Sequence, residues 1–398
     1  MFNLVVQKYI GYLFAVFFLV LGRESWALDT TIHGDVFLYN DQKYFDNQSV
    51  SSYQNISDTY TIGGLEFAAQ QDDLRFFIRP EFRSLLSPGV NLSPTDPAYV
   101  TVKSPPRALN LGSLLVLNSW EELYTDVEHL YLSWNSSNFE ISVGRRPVSL
   151  GVLKYLPVWN KFTAPPLIYA GPGFIYSSDN ATLRFQAGDW AFTLLEIEGA
   201  TGADAARIGQ VALYSSFIEI HGLAGVWWEQ AVGGLAFAKD LGGMTIRGET
   251  LWVGLRNNDT DSQFQGGLGF EYAFSEKFSF ISEWLYLNSG IDDQVLVFPS
   301  ASRFRQLQGD EYNYTILNYN ITSLWKMGLG PLINLTDGST LVIGELKYSA
   351  SDNLDFAAQT KIPTGKDRTE LSPNSIPYPN GLYAGLPYLF SISAKWYF

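Results

Sequence analysis

Charged side chains that alternate with apolar ones are the residues most able to do chemistry in this sequence. In the segment 73–84, Arg75, Arg79, Glu81 and Arg83 fall on one face of a period-two pattern, and apolar residues fall on the other. Such a strand could line a wet channel that steers ions, or it could belong to a soluble sheet with one face in water. This strand alone does not distinguish the two.

Residues for covalent or metal chemistry are scarce. The chain has no cysteine and three histidines, His33, His129 and His221. No His-x-Ser pair, HExxH motif or glycine-rich phosphate loop occurs, and the acidic stretch 259–261 is too short for a calcium loop. The sequence therefore predicts no enzymatic activity and no cofactor.

The same alternation returns in later segments and extends the charged face. An arginine placed against lipid near the bilayer midplane would cost about 2 to 4 kcal/mol, so the consistent side of these charges favours one register throughout. The predicted pore-lining set is Arg75, Arg79, Glu81, Arg83, Glu140, Arg146, Arg184, Arg247 and Glu249.

Composition limits the class of protein. The formal net charge is -14, which makes the chain a poor nucleic-acid ligand. Aromatic residues make up 15% of the chain, yet the mean hydropathy is only -0.01 because polar residues alternate with them. These features predict an all-β protein, either a membrane β-barrel or a large secreted β-protein.

The first residues have the pattern of a secretory signal. Lys8 precedes the apolar run 9–21, and Ser25 and Ala27 are small residues at the third and first positions before Leu28. The sequence predicts a signal peptide over 1–27 and a single domain over 28–398. After the signal, no run of about 18 apolar residues predicts a transmembrane helix.

Short and long connections alternate along the chain, as they do in transmembrane barrels. Seven short turns, with one leading and one final strand, predict an up-and-down antiparallel barrel of about sixteen strands, within a range of 14 to 18. The short turns are Gln71-Asp72, Asn135–Ser137, Gly188-Asp189, Ser215-Ser216, Asp240–Gly243, Ser275–Lys277 and Asp337–Ser339. The longer connections are 40–58, 85–123, 148–173, 200–206, 229–232, 256–264, 289–326 and 351–385.

The final strand adds a further feature. Tyr388, Phe390, Ile392, Trp396 and the terminal Phe398 share one apolar face. With the signal peptide, the alternation and the strand count, this ending resembles the bacterial outer-membrane porins as a class. The resemblance implies that the last strand, with Tyr388, Phe390, Trp396 and Phe398, is the signal read by the barrel-assembly machinery.

The third long connection, 148–173, contains several large apolar residues and is too apolar for a loop in water. Packing inside the barrel, folding on its rim or burial at a subunit contact would each cover it. The porin resemblance implies a constriction loop folded into the lumen, with Lys154, Tyr155, Trp159 and Lys161 as its candidate residues. An acidic loop is familiar in general porins, whereas this one contains lysines and no acid.

These observations predict an outer-membrane porin, exported by a cleaved signal peptide, that passes ions and small hydrophilic solutes by diffusion. The alternatives are a filled barrel with adhesive or structural loops and a channel for hydrophobic compounds. The partners implied are membrane lipid, lipopolysaccharide, the barrel-assembly machinery and small polar solutes, with no nucleic acid. Monomer and homotrimer both stay open.

Overall fold

A computed structural model describes residues 29–44, 55–86, 108–109, 111–117, 121–160, 162, 177–199, 205–254, 263–288, 307, 309–366 and 388–398. The predicted signal peptide, Lys161 and most of the long connections lie outside these ranges. Among the described residues, no helix is long and apolar enough to cross a membrane.

The described residues form one closed antiparallel sheet. Each long strand pairs with its neighbours in sequence, and β1 pairs with both β2 and β19, which closes the barrel. The strands are β1 Asp29–Tyr44, β2 Asn55–Gln71, β3 Leu74–Leu86, β4 Ser113–Leu117, β5 Glu121–Asn135, β6 Phe139–Arg146, β7 Ser178–Ala187, β8 Trp190–Glu198, β9 Ala206–Tyr214, β10 Glu219–Trp227, β11 Gln230–Asp240, β12 Met244–Gly254, β13 Gln263–Ala273, β14 Phe278–Asn288, β15 Glu311–Asn320, β16 Trp325–Asn334, β17 Thr340–Ser351, β18 Leu354–Thr364 and β19 Tyr388–Tyr397.

Eighteen of these strands form the barrel wall, at the upper end of the predicted range. The five-residue β4 pairs with the part of β5 that β6 does not reach. Strand order places the tight turns between β2 and β3, β5 and β6, and so on to β17 and β18, together with the start of β1 and the end of β19, at one rim. We name this the turn rim, and the opposite end the loop rim.

The predicted number of about sixteen strands was two too low, because two turns lie inside predicted long connections. Residues 321–324 join β15 to β16, and residues 352–353 join β17 to β18. The connections predicted over 289–326 and 351–385 therefore contain β15 and β18. The short connection 337–339 lies at the loop rim, between β16 and β17, and not with the other short turns.

The outer face of the wall is apolar and uncovered. Ile32 is 69% exposed, Leu194 61% and Leu235 65%, on three well-separated strands. A soluble sheet would bury such side chains, since each buried one gains roughly 1.5 to 3 kcal/mol. The outer face therefore has the chemistry expected of a surface that contacts lipid.

Candidate functional site: the lumen and its inner segment

Residues 147–160 run along the inside of the barrel; we name them the lumen segment. The carboxylate of Glu249, on β12, accepts hydrogen bonds from four backbone N–H groups of this segment. Its Oε1 accepts hydrogen bonds from Val152 and, at 2.7 Å, from Leu153. Its Oε2 accepts from Val158 at 2.9 Å and Trp159 at 3.1 Å. Glu249 is 1% exposed, so these donors replace its water shell.

Glu283 of β14 holds the centre of the same segment. Its Oε1 accepts the N–H of Lys154 at 2.7 Å. Its Oε2 accepts the N–H groups of Tyr155 at 2.9 Å and Leu156 at 2.7 Å. The buried carboxylates of Glu249 and Glu283 thus accept hydrogen bonds from seven backbone N–H groups within residues 152–159. Because hydrogen bonds to an ionised group are the stronger kind, this arrangement fixes the path of the backbone.

Apolar packing covers the other side of the lumen segment. Its buried residues join one core cluster with strands from β8 to β17. Val158 and Trp159 are fully buried, and the Trp159 Nε1 donates to the carbonyl of Thr250 at 2.8 Å. The Tyr155 ring meets the edge of Tyr314 at 5.0 Å. The lumen segment therefore fills one side of the barrel interior.

The exposed edge of the segment is polar. The Nζ of Lys154 donates to both oxygens of Glu271, at 2.9 and 2.7 Å, and Arg247 contacts the same carboxylate at 2.7 Å. Burial raises the pKa of the Tyr155 hydroxyl, and the negative charge of Glu283 adds to the effect, so this hydroxyl ionises less readily than that of a free tyrosine. Lys154 is exposed and presents a cation toward the open side, whereas Tyr155 is half-buried against the core.

The opposite wall carries charges in buried or half-buried clusters. Arg79 pairs with Asp35 at 2.8 Å and with Glu66, and Lys395 contacts the same Asp35 at 3.3 Å. Because Arg79 is held by these acids, it serves as the centre of a cross-strand network as well as a wall residue.

A second cluster lies nearer the loop rim. Arg83 pairs with Glu81 of its own strand and with Glu128 of β5 at 3.0 Å. All three side chains are buried. The structure therefore places Glu81 and Arg83 inside the barrel, in contact with each other and covered from the open part of the lumen.

Arg145 is the centre of a third cluster that sequence reasoning missed. Its guanidinium binds Asp179 at 2.8 Å and Asp126 at 3.0 Å, and it also donates to the carbonyl of Leu109. Strict alternation pointed Arg145 outward. Gly144 has φ +131°, a conformation that glycine adopts readily, and this break in the alternation brings Arg145 and Arg146 to the same side.

The half of the lumen near the turn rim keeps exposed charges. Glu140, near the turn rim, is the cross-strand neighbour of Arg184, and Arg146, at the loop-rim end of β6, donates back along the strand to Glu140 at 3.0 Å. Arg75 lies over the ring of Phe77 at 5.5 Å. These residues are partly exposed, unlike Glu81, Arg83 and Glu249.

The predicted assembly residues lie on the outer face. Phe390, Trp396 and Phe398 are exposed and Tyr388 is half-buried. The backbone of Phe398 exchanges two hydrogen bonds with Gly34, at 2.8 and 2.9 Å, so the last residue helps to close the barrel.

Histidine and acidic side chains form no metal site in the described ranges, where no group of three or more is placed to hold an ion. His129 Nδ1 lies 2.7 Å from the Ser177 hydroxyl, and His221 bridges Glu219 and Gln210. Ser177 is fully buried, so a solute cannot reach this pair for nucleophilic attack.

Solved structures share this architecture. OccAB4 from Acinetobacter baumannii matches with a TM-score of 0.56 at 9% identity, over 92% of this chain and 98% of that one. OccK9 (OpdG) from Pseudomonas aeruginosa has a TM-score of 0.57 at 10% identity, over 93% and 98%. A BenF-like porin from Pseudomonas fluorescens Pf-5 has a TM-score of 0.56 at 9% identity, over 93% and 98%.

No protein-family model matches the sequence, and no curated protein matches it either. At 9 to 10% identity the structural similarity establishes the fold, which is that of bacterial outer-membrane porins. The predicted all-β barrel is confirmed.

Proposed function

We propose that the chain is an outer-membrane porin through which ions and small hydrophilic solutes diffuse. One observation carries this: the lumen segment is held against a single apolar wall by Glu249 and Glu283, while the facing wall is charged. The exposed Lys154 edge and the partly exposed arginines of the facing wall leave charged groups available to solutes in the lumen. Solutes would pass between the exposed edge of the segment and the charged wall.

The partly exposed charges of the lumen wall would set ion preference. Arg75, Arg146 and Arg184 lie on β3, β6 and β7, which are close together around the barrel. Fixed charges in a narrow wet passage change the local concentration of permeating ions. No covalent step and no cofactor is part of this proposal.

A filled barrel with adhesive or structural loops is the second candidate. The clusters around Arg83 and Arg145 favour it, because their buried ion pairs cover part of the lumen near the loop rim. The two candidates differ in whether water and ions connect the two rims.

A thiol-blocking experiment separates the candidates. The chain has no cysteine, so Arg184→Cys would introduce a single thiol into the lumen. In planar bilayers we expect stepwise conductance that falls when a negatively charged methanethiosulfonate reagent is added. Arg207→Cys is the matched control, since Arg207 is exposed and pairs with Glu196 on the outer face. An electrically silent protein that still migrates as a heat-resistant barrel would contradict the porin proposal and support the filled barrel.

A further inference from the structure

The turn rim is chemically different on its two halves. Four successive turns, joining β9 to β10, β11 to β12, β13 to β14 and β15 to β16, expose large apolar side chains; we name them the apolar arc. Those side chains are Phe217 at 68% exposure, Leu241 at 45%, Phe274 at 59%, Ile321 at 40% and Leu324 at 49%.

The remaining tight turns form a polar arc. The turns after β2, β5, β7 and β17 contain aspartate, asparagine, serine and glycine and no large apolar side chain. Asp72, Asp73, Asp189 and Asp352 give this arc a negative charge. Sheet order makes the apolar arc continuous and places the polar turns on the other side of the rim, where the exposed Phe398 at the end of β19 is an apolar exception.

An aromatic belt normally lies at the ends of the strands. On the apolar arc, exposed apolar side chains lie in the turns as well. On the polar arc, Trp134 and Trp190 are exposed at the strand ends and the turns beyond them are polar. On the apolar arc, Phe274 stacks on the strand residue Phe278 at 5.1 Å and meets Tyr272 at 4.7 Å, both on the outer face. The outer apolar surface therefore continues onto the turns.

Strand length is compatible with this position of the turns. The strands β9 to β16 are 9 to 11 residues long. On the polar arc β1, β2 and β3 have 16, 17 and 13 residues, whereas β6, β7 and β8 have 8, 10 and 9, so strand length alone does not separate the two arcs. Ten residues at about 3.3 Å each, tilted by about 40°, rise about 25 Å, which is about the height of the apolar band of an outer-membrane barrel. Strands of this length span the apolar band and no more, so the turns begin where the hydrocarbon ends.

Lysines accompany the apolar turns. Lys239 Nζ lies 3.2 Å from the centre of the Phe217 ring, and Lys277 lies in the turn that contains Phe274. Aromatic rings with lysine ammonium groups beside them suit the interface between acyl chains and phosphate headgroups. The apolar arc also contains two acids. The Asp240 carboxylate accepts hydrogen bonds from the N–H groups of Gly242 and Gly243, and Glu276 lies beside Lys277 in its turn.

We propose that the apolar arc is embedded in the headgroup region of a phospholipid leaflet, with lipid phosphates beside Lys239 and Lys277, while the polar arc extends into water. The membrane boundary then crosses the barrel obliquely. This inference rests on the membrane location proposed above, but it does not depend on ion conduction.

Spin labelling of single cysteines tests the proposal, again using the absence of native cysteine. Phe217→Cys and Phe274→Cys place labels on the apolar arc, and Asp189→Cys and Asp352→Cys are matched controls in exposed turns of the polar arc. Purified variants would be reconstituted into vesicles of phosphatidylethanolamine and phosphatidylglycerol, and label collisions with oxygen and with a water-soluble nickel chelate compared.

We expect oxygen collisions to exceed nickel collisions at both apolar-arc sites and the order to reverse at both controls. Nickel collisions that dominate at either apolar-arc site, or oxygen collisions that dominate at the controls, would overturn the proposal. Leu324→Cys replaces any apolar-arc variant that does not form a heat-resistant barrel. This experiment measures no current, so an electrically silent barrel would give the same collision rates. Failure of the porin proposal is instead detected by the conductance experiment.

Discussion

The carboxylate of Glu249 gives the sharpest prediction. Glu249→Gln leaves one oxygen acceptor and adds an amide group whose own N–H atoms face the donors of the lumen segment. At least two of the four hydrogen bonds to the backbone are then lost. At about 1.5 to 3 kcal/mol for each bond to a charged group, the bound position of the segment loses about 3 to 6 kcal/mol.

Amide hydrogen exchange measures this loss directly. With closing faster than exchange, each 1.4 kcal/mol removed from the opening free energy speeds exchange about tenfold, so we expect at least about a hundredfold acceleration. The readout is deuterium uptake, by mass spectrometry, of peptides that cover residues 148–160 in detergent micelles. Strand peptides should change little, because the wall hydrogen bonds do not involve this side chain.

Glu345→Gln is the matched control. Glu345 is also a half-buried lumen-facing carboxylate, but it pairs with Lys347 of its own strand at 3.0 Å. We expect no acceleration in the lumen segment of this variant. Unchanged uptake in Glu249→Gln, or equal acceleration in both variants, would refute the holding role of Glu249.

Three other predictions concern the wall and its closure. Arg145→Met leaves two aspartates buried without their cation, and we expect a loss of about 3 to 5 kcal/mol, seen as a lower urea midpoint in detergent; an unchanged midpoint would contradict the ion cluster. Arg184→Glu should shift the reversal potential in a salt gradient toward cations, whereas Arg207→Glu on the outer face should not, and equal shifts would argue against a lumen position. Deletion of Phe398 should reduce assembly in cells more than refolding in detergent, and equal losses would mean that its backbone pairing with Gly34, and not recognition, explains the effect.

The sequence predicted the barrel because alternation acts on every strand at once. A single segment such as 73–84 was ambiguous, but repeated polar and apolar faces joined by short turns left few other arrangements. The strand count was harder, since it depended on turn residues alone. The turn 321–324 reads Ile-Thr-Ser-Leu, in which apolar residues hid the connection; the proposed lipid contact of the apolar arc would account for them.

The lumen was less predictable because alternation assigns a face and not a partner. Glu249 was predicted as a pore-lining residue; the structure places it inside the barrel but under the lumen segment, where it binds backbone amides. Nothing in the local sequence of β12 indicates amide donors about ninety residues away. Arg145 was missed for a local reason, since a glycine in a strand can change which side the next residues face, and the sequence does not state its φ.

Dependence on lipid or detergent tests the central claim, that hydrocarbon covers the apolar outer face of this barrel. The measurement is circular dichroism with sedimentation on purified protein before and after detergent removal. We predict a β-sheet spectrum and a discrete species in micelles, and aggregation once detergent is withdrawn. A folded, dispersed protein in plain buffer would contradict the account.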